Sequence, residues 1–267
     1  MREEFWKIAV HEDRELEELL GGEILAREKL HHWPLSYVEK VTMKSGETIV
    51  YKAQHASASV ENDFYARVRA PFLLEPVFLA AGDSWAALAL PYVEIPPQRP
   101  LTEDFLREKV GEWGQMLQGL ADVPIYFDLA SPEKLAMLLE DACQALPPEA
   151  GKDAARLRRW AESGARVCYE SQPVGLLHGD LTGGNVVLEG DAIRWVLDWQ
   201  RPMRGPLALE TAMALLNAGD EGEGPFGQLA LACRVLWYAY AYRHLLPLPA
   251  VLHTAQEFLQ RFCAAKD

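Results

Sequence analysis

The sequence predicts an α+β chain in two parts: a small lobe of antiparallel strands over residues 1–93 and a larger, mainly helical lobe over residues 94–267. Three observations carry that prediction. Up to residue 93 the pattern is period-two alternation broken by tight-turn dipeptides. The Pro-rich stretch Glu94-Ile-Pro-Pro-Gln-Arg-Pro100 then interrupts regular structure and marks the boundary. Beyond it, apolar residues recur at steps of three and four, as on one face of a helix.

Taken in order, Val41 and Met43 alternate with Lys40, Thr42 and Lys44; Ser45-Gly46 turns the chain, and Thr48–Ala53 returns as a β-branched strand. Ala58–Arg69 contains no Gly or Pro and reads as a short helix. Val77–Ala80 and Ala86–Leu90 form a second strand pair around Gly82-Asp83. Past the boundary, Leu106, Val110, Trp113, Leu117 and Leu120 make one helix face. Ser131-Pro132-Glu133 is a helix start, with Ser as N-cap and Pro in the first position. Leu135, Leu138, Ala142 and Leu146 follow on one face until Pro147-Pro148 stops it. Further helices are expected at 152–170, 207–217, 226–246 and 250–264.

Composition narrows the class. With 49% apolar and 24% charged residues the chain is globular rather than disordered. Its 39 acidic against 26 basic side chains, a net charge of −13, argue against a nucleic-acid partner or an anionic lipid surface. The four cysteines lie far apart, match no zinc spacing or disulfide framework, and read as core thiols in a reducing compartment. The start, MREEFWKIAVHEDRE, has no basic head followed by an apolar stretch. The apolar runs Ser84–Val93 and Val235–Tyr242 are too short to span a bilayer. A soluble, cytoplasmic protein with no membrane partner is expected.

One segment, residues 176–200, breaks the helical pattern and carries chemistry. Val186–Leu188 and Ile193–Leu197 read as strands joined by a tight turn at Gly190-Asp191. That register sets Asn185 opposite Val196 and makes Asp198 its diagonal neighbour, with Asp180 in the loop just before. A carboxylate, a carboxamide and a second carboxylate nearby form a hard oxygen site suited to Mg²⁺. Gly183-Gly184 keeps the loop slim for phosphate and metal to approach. The spacing is that of the protein-kinase catalytic loop: His178-Gly179-Asp180, four residues, then Asn185, with Asp198-Trp199-Gln200 where Asp-Phe-Gly would stand.

The string HGDLxxGNxxL followed by a strand and Asp-Trp-Gln closely resembles the aminoglycoside phosphotransferase and choline-kinase-like enzymes, distant relatives of protein kinases. The match is dense over 176–210, and its order is consistent from about residue 30 onward. The resemblance implies a two-lobed, protein-kinase-like fold that moves the γ-phosphate of ATP or GTP to a small-molecule hydroxyl. It implies that Asp180 orients and deprotonates the acceptor, that Asn185 and Asp198 hold Mg²⁺, and that His178 braces the loop.

It also makes demands on the rest of the chain. A strand lysine paired with a helix glutamate is required, and Lys52 in TIVYKAQ and Glu61 opening ENDFYARV answer it. The strand into Pro91-Tyr92-Val93 resembles the hinge whose backbone binds the adenine edge. At the phosphate-covering loop, Leu30 to Ser36, no glycine is present; Ser36 is the residue expected to touch a phosphate. His31 and His32 read as loop packing. Lys40 and Lys44 face away from the apolar set and suit a solvated role, and Glu210 is expected to brace the catalytic loop.

The acceptor is less legible. Trp237, Tyr238, Tyr240 and Tyr242 read as core aromatics, with a cage for a quaternary ammonium as the other reading. The acidic loop residues Asp220, Glu221 and Glu223 read as solvated, with a cationic acceptor as the alternative. Within the enzymes, the alternative is a choline, ethanolamine or sugar kinase rather than an aminoglycoside kinase. A rival of another class is a nucleotide-binding pseudokinase acting as sensor or scaffold.

Overall fold

The structure, a computed structural model, describes residues 1–4, 8–33, 35–94, 103–118, 120, 122–170, 172–241 and 249–265. The chain forms two compact units: Met1–Pro97 with Val187–Gln200, and Gln98–Val186 with Arg201–Asp267.

The first unit opens with two short paired strands, β1 (Arg2–Glu4) and β2 (Ile8–Val10), and helix α1 (Asp13–Leu20). Strands β3 (Ile24–Trp33), β4 (Ser36–Met43) and β5 (Thr48–His55) follow. Helix α2 (Glu61–Arg67) and strands β6 (Phe78–Ala81) and β7 (Trp85–Pro91) complete an antiparallel sheet of order β3-β4-β5-β7-β6. The alternation read in the sequence places Val41, Met43, Ile49, Tyr51 and Ala53 in one core with Ile8, Val10 and Leu16. The opposite positions carry Lys40 and Lys44, as expected: Lys44 pairs with Glu23, and the Lys40 ammonium sits 4.4 Å from the centroid of the Tyr92 ring. The predicted helix over 58–69 is shorter, because a 3₁₀ turn over Ala56–Ala58 precedes it and extended backbone at Val68 ends it.

The phosphate-loop position differs from expectation. Strand pairing runs on to Trp33↔Ser36, so Leu30–Trp33 and Ser36, expected in a loop, are strand residues of β3 and β4. His31 and His32 are strand residues there, and pairing of His31 with Val38 and of His32 with Tyr37 is the physical reason.

In the second unit, the Pro-rich boundary lies outside the described residues from residue 95 on. Helix α3 (Glu103–Gln118) buries Trp113 and Leu117 of its predicted face; the side chains of Leu106 and Val110 lie outside those described. A two-residue strand, β8 (Phe127–Asp128), precedes α4 (Pro132–Ala145), which starts as predicted: the Ser131 hydroxyl accepts from the Lys134 N–H, with Pro132 in the first turn. Its buried face is Leu135, Leu139, Ala142 and Cys143, with Leu139 inside where Leu138 was expected. The predicted 152–170 helix is α5 (Gly151–Arg159), a π-helical turn over Trp160–Gly164, and α6 (Arg166–Glu170). Strand β9 (Val174–Leu177) comes next; the hairpin of β10 (Val186–Glu189) and β11 (Ala192–Val196), whose turn places Gly190 at φ +65°, belongs from Val187 on to the first unit. Strand β12 (Met203–Pro206) follows, then helices α7 (Ala208–Asn217), α8 (Gly224–Leu236) with a π-helical turn over Trp237–Ala241, and α9 (Pro249–Ala264). Strands β8, β12 and β9 form a small sheet that the sequence reading missed; each is too short for a periodic signal. No helix among the described residues is long and apolar enough to cross a membrane.

Candidate active site

In the first unit three charged residues converge. Strand β5 carries Lys52 and helix α2 opens with Glu61; the Lys52 Nζ lies 2.8 Å from Glu61 Oε2 and 2.5 Å from Asp198 Oδ1. Burial pulls the Lys52 ammonium down, but Asp198 and Glu61 together hold it above its ordinary value, so it stays charged.

The Asp198-Trp199-Gln200 segment is tethered at each residue. Asp198 is an ion partner of Lys52 and adopts φ +68°, a left-handed backbone uncommon outside glycine. Trp199 is fully buried and stacks on Phe64 of α2, centroids 4.3 Å apart. Gln200 donates from its side chain to Gln54 Oε1 at 3.0 Å, while its carbonyl accepts from the Val60 N–H. The local sequence explains the register: two aromatics, one on the helix and one beside the aspartate, lock the carboxylate to the lysine strand.

Ser36 opens β4 opposite Gln54 and is buried. At the hinge position Pro91 has no N–H, and the Tyr92 N–H donates to the Thr48 carbonyl at 3.1 Å. The Val93 N–H is therefore the one donor of residues 91–93 with no partner among the described residues.

In the second unit, β9 ends at Leu177 and delivers the chain into His178-Gly179-Asp180. Glu210 of α7, fully buried, receives both backbone N–H groups there, from His178 at 2.5 Å and from Gly179 at 2.9 Å. This is the bracing role expected of Glu210. Burial pushes its carboxyl up to about 7 against the pull of those two donors. Gly179 takes φ +81°, a backbone that strains any other residue, and a Cβ there would also displace the Met203 Cε, 2.7 Å away. The His178 Nδ1 accepts from the Asp180 N–H at 3.2 Å, which holds the loop without reaching outward. Asn185 donates its amide to the Asp180 carbonyl at 2.9 Å, leaving its Oδ1 with no donor among the described residues. A hard cation suits that oxygen; in the first unit the Asp198 carboxylate, 35% exposed, is by itself a hard oxygen donor of the same kind.

Two residues that sequence reasoning did not assign meet the Asp180 carboxylate. Arg234 of α8 donates to Oδ1 at 2.9 Å, and Asn217, the last residue of α7, donates to the same oxygen at 3.1 Å. The signal for Arg234 was an arginine inside the apolar run Leu-Ala-Leu-Ala-Cys-Arg-Val-Leu-Trp; Asn217 left none.

Of the aromatic cluster of the last helices, Trp237 is core, and Tyr238 and Tyr240 are half-buried. Trp237 is buried with the guanidinium groups of Arg234 and Arg201 at 4.4 and 5.4 Å from its centroid. Tyr238 stacks on Phe258 and Tyr240 meets Phe127 edge-on, while Tyr242 lies outside the described residues. Of the acidic loop, Asp220 turns its carboxylate onto the Gly222 N–H.

The antiparallel sheet with its lysine–glutamate pair and the helical unit carrying the H-G-D loop define a protein-kinase-like fold. The profile of the phosphotransferase enzyme family matches residues 53–233, and the chain belongs to that family. No curated protein matches. Among solved structures the aminoglycoside phosphotransferase APH(4)-Ia is 13% identical, over 94% of this chain and 96% of that one, with a TM-score of 0.61. A putative fructosamine-3-kinase from Thermobifida fusca is 16% identical over 95% and 98%, with a TM-score of 0.56. The amicoumacin kinase hAmiN, solved with AMP-PNP and Ca²⁺, is 14% identical over 88% and 87%, with a TM-score of 0.55.

Proposed function

We propose that this phosphotransferase moves the γ-phosphate of ATP or GTP to a hydroxyl of a small molecule. The observation that carries the reading is the buried Lys52 held between Glu61 and Asp198. A charged lysine kept rigid by two carboxylates serves phosphate recognition, where a flexible surface lysine would not. Lys52 contacts the α- and β-phosphates and Glu61 fixes its position. The Val93 N–H serves the nucleobase edge, flanked by Pro91 and Tyr92, and Ser36 at the β3–β4 tip serves a phosphate.

Asn185 and Asp198 hold Mg²⁺, which supplies neutralising charge on the phosphates when bound. Asp180 is the base. It takes the proton of the acceptor hydroxyl as that oxygen bonds to the γ-phosphorus, and the bond from phosphorus to the β–γ bridging oxygen breaks, leaving the nucleoside diphosphate. Trp237 is buried beneath two guanidinium groups, and the half-buried Tyr238 and Tyr240 are engaged with Phe258 and Phe127, which favours a sugar-like or other neutral alcohol over choline.

An acceptor screen with radiolabelled ATP and GTP tests the reading, with Asp180→Asn beside the wild type. Acceptor-dependent label transfer that Asp180→Asn abolishes, while nucleotide binding persists, is the expected result. The glycine-free hairpin tip favours one rival, a nucleotide-binding sensor without turnover. Nucleotide binding with no transfer to any acceptor supports that rival instead.

A further inference from the structure

We propose that Arg234 and Asn217 are positioning residues that clamp Oδ1 of Asp180 and so reserve Oδ2 for the acceptor's proton. The inference rests on the reading of Asp180 as the base. A carboxylate rotates about its last bond and its two oxygens are chemically equivalent, so a free aspartate offers no fixed basic atom. Here both donors converge on one oxygen, Arg234 at 2.9 Å and Asn217 at 3.1 Å. Among the described residues Oδ2 receives no donor.

The clamp is itself locked. Arg234 also donates to the Asn217 Oδ1, which turns the Asn217 amide so that its NH₂ group is the end facing Asp180. The guanidinium stacks over Trp237 at 4.4 Å, which fixes its plane from the other side. Its setting makes a purely structural role a poor explanation. Every residue from Gln228 to Leu236 is buried, and Arg234 is the one charged group among them. An arginine in such a helix carries a desolvation cost that a leucine would avoid, and its ion pair here is with Asp180. A π-helical turn begins three residues later, at Trp237, a distortion frequent beside functional sites.

The chemical consequence is directional. The acceptor's O–H donates to Oδ2, its proton ends there, and the guanidinium on Oδ1 keeps the carboxylate plane from following the departing proton.

Crystal structures of Arg234→Ala, Arg234→Lys and Asn217→Ala test the geometry, and ADP release from Mg²⁺·ATP, with water in the acceptor's place, tests the rate. In Arg234→Ala the Asp180 carboxylate is expected to rotate, ADP release to fall about 10- to 100-fold, and the KM for ATP to stay within about twofold. Arg234→Lys is expected to restore the carboxylate orientation and part of the rate. An Asp180 carboxylate unmoved in Arg234→Ala, or an unchanged rate, overturns the clamp. Should Arg234→Ala not fold, Arg234→Lys and Asn217→Ala keep the cation or the ion pair and carry the same comparison. Asp180→Asn separates the two failures: a rate unchanged by it sinks the base, whereas an inactive Asp180→Asn with a fully active Arg234→Ala sinks the clamp alone.

Discussion

The Lys52 Nζ lies 2.8 Å from Glu61 Oε2, so a strand and a helix of the first unit are joined through a buried ion pair. Removing the lysine strands Glu61 in a site with no solvent to replace the lost charge. Lys52→Met is therefore expected to lower unfolding free energy by about 3 kcal/mol. Adding Glu61→Leu to Lys52→Met is expected to recover part of that loss, since the uncompensated charge is then gone. Urea titrations of the two variants and the wild type make the comparison; equal stability of the single and double variants contradicts it.

Glu210 predicts a pH effect with a definite sign. Its carboxyl is raised from about 4.5 to about 7, so between those values the folded chain keeps a proton that the unfolded chain releases. Stability attributable to Glu210 is fully present below the lower value, falls as pH rises through the window, and is level above about 7. The fall amounts to about 3 kcal/mol. In Glu210→Gln that slope is absent, and subtracting the two stability–pH curves isolates it. Parallel curves between pH 4.5 and 7 would falsify the assignment.

Gly179 is tested by a single methyl group. Gly179→Ala meets both a left-handed backbone and the Met203 Cε. A stability loss of about 2 kcal/mol is expected. Displacement of the loop holding Asp180 should lower turnover about tenfold as well. Thermal melts and turnover measured together decide this; a variant that keeps wild-type stability shows that the loop accommodates the methyl group.

Trp199 fills the space against Phe64 and Phe72, with no exposed surface. Trp199→Ala is expected to cost about 3–5 kcal/mol, and Trp199→Phe distinctly less because the stack survives. Because Asp198 precedes it, the alanine variant should also weaken nucleotide binding, measurable by calorimetry. Unaltered affinity with lowered stability limits Trp199 to packing.

What the sequence made legible follows physical range. Period-two alternation at Val41, Met43, Ile49 and Tyr51 is a local signal, and it marked strands and core face together. The Ser131-Pro132 start was equally local and holds to the residue. The family resemblance put Lys52 and Glu61 forward as partners, and they are paired. Three things were not legible. The β8-β12-β9 sheet joins residues 127, 174 and 203, and pairing at such separation leaves no periodic trace in strands this short. Leu139 rather than Leu138 is buried because neighbouring helices, not the helix's own pattern, decide which side of an apolar stripe is covered. Asn217 and Arg234 meet Asp180 only through the packing of α7 against α8, and neither lies in a motif.

The return of Val187–Gln200 to the first unit has a consequence for synthesis. The fold of residues 1–97 is completed by Trp199 and Asp198, which leave the ribosome only after about ninety further residues of the other unit have been made. Until then the groove beside Phe64 lacks its indole and Lys52 lacks one of its two carboxylates. The amino-terminal third of the nascent chain thus waits, its core open beside Phe64, until the stretch ending at Gln200 has been made.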